Sequence, residues 1–120
     1  MVVRWSDVAM ERMENIFNYY LNNTGHNTAA KIVAKIHKSA SALADMPFMA
    51  PVEESLQGRT FTYRSLTVSR IFKVVYFIDE KAECVVVATI HDCRRNPAKL
   101  QDEIPKHDAP DHSTALSVHT

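Results

Sequence analysis

The sequence lacks a long apolar run: no stretch reaches the roughly 18 to 20 apolar residues of a membrane-spanning helix. No basic segment followed by an apolar stretch leads the chain either, so neither a helical span nor a secretory signal is expected and a cytoplasmic protein is. Cysteine is scarce. Only Cys84 and Cys93 occur, and their spacing matches neither a C-x-x-C redox motif nor a zinc pattern. A disulfide framework is thereby excluded, and reduced thiols are the simplest expectation. Charge of one sign is also missing, with 14 basic residues against 14 acidic ones. There are no internal repeats. His107, His112 and His119 are spaced too loosely for a preformed metal site, so neither metal nor cofactor is expected.

What is present suits one domain, since 120 residues can bury a single core without staples. Val2 to Trp5 reads as a short strand, and Ser6 is a suitable N-cap for the helix that follows. From Asp7 to Leu21 the apolar positions Ala9, Met13, Ile16, Phe17 and Tyr20 keep helical spacing, and Asn22 to Gly25 ends the run. A second helix is expected from about Thr28 to Ala44, its stripe formed by Ala29, Ile32, Ile36, Ala40 and Leu43. Two amphipathic helices on so short a turn should pack as an antiparallel hairpin.

Pro47, Pro51 and Gly58 bracket an irregular stretch, after which the period changes to two. Phe61 to Val68, Arg70 to Asp79 and Glu83 to His91 read as three strands joined by short turns, hence an antiparallel meander. Strict alternation in the last strand would put Cys84, Val86, Ala88 and Ile90 on one face and Val85, Val87, Thr89 and His91 on the other, more polar one. The helices would cover one face of the sheet and leave the other partly open. The expected domain spans residues 1–103. Residues 104–120, polar and proline-containing, are expected to be a flexible tail.

The neutral total conceals an uneven distribution. Between Gly58 and Leu100 lie Arg59, Arg64, Arg70, Lys73, Lys81, Arg94, Arg95 and Lys99, against Asp79, Glu80, Glu83 and Asp92. Such a cationic surplus suits either a polyanion or an acidic protein partner, and equally a solvated face.

The order strand, helix, helix and three strands coincides with particular residues: Val3-x-Trp5, the stripe Ile32, Ile36 and Leu43, Pro47, Gly58, Arg64-Ser65-Leu66, Phe72 to Asp79, and His91-x-x-Arg94-Arg95-Asn96-Pro97-x-x-Leu100. From Val3 to about Leu100 the chain resembles the RelE/ParE toxins of type II toxin-antitoxin modules. That resemblance implies an α+β fold, β-α-α-β-β-β, with the meander sheet packed on a two-helix hairpin. It also implies growth arrest, neutralisation by a cognate antitoxin in a heteromeric complex, and one of two targets. ParE-like members resemble inhibitors of DNA gyrase; RelE-like members are similar to metal-free endoribonucleases that cut mRNA on the ribosome. Whether the chain is an enzyme stays open on this ground.

For RNA cleavage the candidates are His91 as acid or base, with Arg64 and Arg94 stabilising the phosphate. Lys73, Arg94 and Arg95 are candidates for contacting the target or a phosphate. The His-x-x-Arg-Arg-Asn-Pro ending resembles the ParE-like class, and the supporting cluster of lysines, arginines and a terminal tyrosine found in RelE-like nucleases is absent; both favour gyrase. Val85 and Val87 on the open face, with Lys31 and Lys35 on the second helix, are candidates for binding an acidic antitoxin segment. A non-toxic protein-binding module on the same fold is the reading from a third class.

Overall fold

A computed structural model describes residues 1–94, 98–104 and the backbone of 116–118. Arg95, with Asn96, Pro97 and the tail histidines, lies outside the described residues, so the target-contact expectation for Arg95 has no structural counterpart here. The chain runs β1 (Val2–Ser6), α1 (Asp7–Thr24), α2 (His26–Ser41), β2 (Tyr63–Val68), β3 (Phe72–Asp79), β4 (Cys84–Asp92), α3 (Ala98–Glu103) and β5 (Leu116–Val118). Among the described residues no helix is long and apolar enough to cross a membrane.

Ser6 starts α1 as expected: its Oγ accepts from the Ala9 amide at 3.1 Å while donating to the Ala88 carbonyl at 2.7 Å, tying the helix start to β4. Gly25 separates the two helices. It adopts φ 96° and ψ 169°, and its N–H reaches back to the carbonyls of Tyr20 and Leu21. The hairpin lays its stripe, with Ala9, Ile36, Ala40 and Leu43 fully buried, on one face of the sheet.

The sheet order is β2-β3-β4-β1-β5. The β2-β3-β4 portion is the expected antiparallel meander, whereas β1 joins β4 in parallel, pairing Val3 with Val85 and Trp5 with Val87. The result is a mixed sheet. A parallel neighbour requires a long crossover, and the α1–α2 hairpin with the meander supplies it.

Strict alternation does not survive along β4. The β3–β4 register shifts between Val75 and Tyr76, so that Val75 pairs with Thr89 and Tyr76 with Val87, leaving Ala88 as an extra residue. Val85, Val87 and Ile90 therefore all face the helices, while Ala88 packs on the opposite side. This corrects two expectations. Val85 and Val87 are completely buried under the hairpin, so an antitoxin cannot reach them without unpacking the core. His91, expected on a partly open face, is only 4% exposed.

The second face is closed because the 51–61 segment and α3 fold over it. Leu56, Tyr63, Val75, Leu100 and Ile104 make a second core there, with Phe61 stacked on Phe77 at 3.9 Å. Arg59 fastens the cover by donating to the carbonyls of Gln101 and Ile104. Ile104, the first residue of the expected tail, is thus a core residue, and Leu116–Val118 pairs antiparallel with β1.

Candidate functional site

The residues proposed for chemistry do not converge on one open surface. Lys73 and His91 are cross-strand partners on β3 and β4, beneath the cover of the second face. Lys73 Nζ donates to Glu53 Oε1 at 2.7 Å, and the same carboxylate accepts from Ser65 Oγ at 2.9 Å and Ser55 Oγ at 2.8 Å. Burial alone would raise the Glu53 pKa. The bonds from Lys73, Ser55 and Ser65 outweigh it and hold the carboxyl at about 2. Glu53 is therefore a buried anion matched to Lys73, and Lys73 is occupied by it.

The His91 pKa is lowered as well, which for an imidazole favours the neutral form. Desolvation lowers its pKa, Glu103 opposes that shift, and Lys73 reinforces it, with Asp92 and Glu53 acting in the same sense as Glu103. A neutral imidazole beneath α3 results. Glu103 itself bridges the sheet and α1, accepting from Thr89 Oγ1 and from Arg12 Nε, both at 2.9 Å. A general acid or base must reach the proton it transfers, and this histidine is sealed from solvent by the elements that stabilise the face.

The arginines lie elsewhere. Arg64 donates Nη1 to the Ala50 carbonyl at 2.7 Å, with its guanidinium 5.1 Å from the Phe48 ring centroid, so it holds the loop after α2. Arg94, beyond the end of β4, makes a bidentate pair with Asp92 through Nε at 3.0 Å and Nη2 at 2.8 Å. That pairing raises the Arg94 pKa and lowers that of Asp92. Its guanidinium is the most open of these cations. The bonding partners Glu53, Ser65, Thr89, Glu103 and Arg12 escaped sequence reasoning. Glu53 lies in a stretch with no periodicity, and Glu103 belongs to a helix too short to show any.

Lys31 and Lys35 stand together. They edge a groove of about 210 Å³ between α2 and the β2–β3 turn, whose walls are Ile32, Ile36, Val68, Ile71 and Phe72. An apolar trough with lysines on its rim is chemically suited to an amphipathic segment bearing acids.

No curated protein matches the sequence. The fold is shared with a solved structure described as the chromosomal ParDE TA system from P. aeruginosa, at a TM-score of 0.65 and 20% identity over 77% of this chain and 95% of that one. The sequence pattern described as the ParE toxin of type II toxin-antitoxin system, parDE, matches residues 3–97, which take in the hairpin, the meander and the Arg94 turn. The chain belongs to the ParE toxin family of type II toxin-antitoxin systems.

Proposed function

We propose that the protein arrests bacterial growth by binding and inhibiting DNA gyrase in the cytoplasm, and that a cognate antitoxin silences it in a heteromeric complex. The observation that carries this reading is the sealing of the sheet's second face. His91 is buried there, Lys73 is bound to Glu53, and Arg64 holds a loop, so three of the groups that metal-free RNA cleavage would need already serve the fold. A toxin that acts by occupying its target needs no such set. Arg94, although paired with Asp92, keeps a side chain 53% exposed and so can still meet a target.

The antitoxin is assigned to the groove beside Lys31 and Lys35, because an acidic amphipathic segment would bury apolar side chains against Ile32, Ile36 and Ile71 while pairing with both lysines. Purified protein should block supercoiling by purified gyrase and leave mRNA on translating ribosomes intact. Undisturbed supercoiling with cleaved mRNA would instead establish the nuclease reading.

A further inference from the structure

A second cleft, of about 440 Å³, opens on the other flank of the molecule between α1 and the ends of β3 and β4. Its base is apolar, with Phe72 and Ile90 almost fully buried beneath it. Aromatic rings climb from that base to the surface. Phe72 meets Tyr20 edge-on at 6.5 Å, and Tyr20 meets Tyr19 edge-on at 5.1 Å, with Tyr19 54% exposed.

The charges at the mouth are ordered by depth. Arg12 pairs with Glu103 and Arg94 with Asp92, and in each pair the cation is the outer partner. Side-chain exposure is 30% against 10% for Arg12 and Glu103, and 53% against 25% for Arg94 and Asp92. The carboxylates neutralise the arginines from behind, while the cleft shows its visitor guanidinium N–H groups and a tyrosine ring. Among the described contacts Arg12 uses only Nε toward Glu103, which leaves its outer nitrogens able to turn toward a ligand.

We propose that this cleft is where the toxin grips its protein target, receiving a peptide segment that carries one large apolar side chain next to an aspartate or glutamate. The apolar side chain would rest on Phe72 and Ile90 against Tyr19, and the carboxylate would meet Arg94 or Arg12. This assignment rests on the reading of the chain as a toxin that acts by binding. A nucleic-acid occupant fits less well, because successive phosphates would each pass near Asp92 or Glu103, the carboxylates that already stand behind the two arginines. Burial of a tyrosine and an arginine at the centre of a small interface is where binding energy concentrates.

The test uses the full chain and two surface substitutions, Tyr19→Ser and Arg94→Ala, each first shown by thermal melting and near-ultraviolet dichroism to fold as the parent does. Affinity is measured for purified gyrase holoenzyme and separately for a short mixed-sequence DNA duplex. Loss of about tenfold or more in gyrase affinity for each variant, with duplex binding unchanged, is the expected result. Parental gyrase affinity in both variants would overturn the cleft assignment and leave the gyrase reading intact. Selective loss of duplex binding would overturn it in favour of a nucleic-acid site. If the parent protein itself fails to bind gyrase, the gyrase reading falls, and growth arrest on induced expression decides the cleft. Arrest abolished in both folded variants supports a target site there; undiminished arrest overturns it.

Discussion

His91 and Glu53 show how one buried face can respond to acid in two separate windows. For His91 the folded pKa lies below the ordinary 6.5, so the folded chain binds fewer protons than the unfolded one just below that pH. Its contribution is present above 6.5 and is lost as pH falls from there through the folded value. Glu53 is depressed from 4.5 to about 2, so its contribution holds above 4.5 and is lost as pH falls toward 2. A shift of that size in a nearly buried carboxylate corresponds to stabilisation on the order of 3 kcal/mol at neutral pH. Urea unfolding between about pH 8 and about pH 3 should therefore show two declines. His91→Gln should flatten the upper one and Glu53→Gln the lower. An upper decline identical in parent and His91→Gln would mean that another group governs it. The same two residues mark how unevenly the site could be read in advance. His91 was visible as a motif residue, but its burial depends on α3 and the 51–61 segment, neither of which has a periodic signal.

At the scale of elements, the hairpin depends on a backbone conformation that its sequence announces. Gly25 sits at φ 96° and ψ 169°, a region essentially reserved for glycine, while nothing lies within 4 Å of where a Cβ would stand. The cost of Gly25→Ala is then conformational strain alone, on the order of 1 to 3 kcal/mol, and calorimetry should show a lowered melting temperature with no change in antitoxin affinity. An unchanged melting temperature would show that the turn relaxes into another form. Local signals of this kind, together with the periods of Ala9 to Tyr20, Ile32 to Leu43 and Phe72 to Ile78, made the helices and the meander readable. The β4 bulge was not, because an extra residue in a run of Val, Val, Val, Ala, Thr and Ile leaves no compositional mark. Its consequence was large: one inserted residue put Val85, Val87 and Ile90 on the same face and removed two expected antitoxin contacts from the surface. The parallel pairing of β1 with β4 is likewise a choice made by distant segments, and neither segment's pattern specifies its neighbour.

For the whole molecule, the assignments proposed above would have the two grooves divide the labour of a regulated poison. The groove edged by Lys31 and Lys35 flanks α2, and the cleft capped by Arg94 flanks α1, yet Phe72 lines both. On those assignments neutralisation and target binding would use separate surfaces that share one buried ring, which meets Tyr20 edge-on. Reversing charge on α2 alone, with Lys31→Glu and Lys35→Glu together, should leave growth arrest at its parental strength, since both side chains are exposed and neither approaches the Arg94 cleft. The same change places two carboxylates against an acidic antitoxin segment and should weaken capture by about tenfold or more. Cells expressing this double variant with the antitoxin would then stop growing, whereas cells expressing the parent pair would not. The decisive measurement is toxin–antitoxin affinity at low and high salt. Repulsion between exposed charges is screened by ions, so the deficit should shrink as salt rises. A deficit that ignores salt would point to a damaged groove, and no deficit at all would place the antitoxin on another surface.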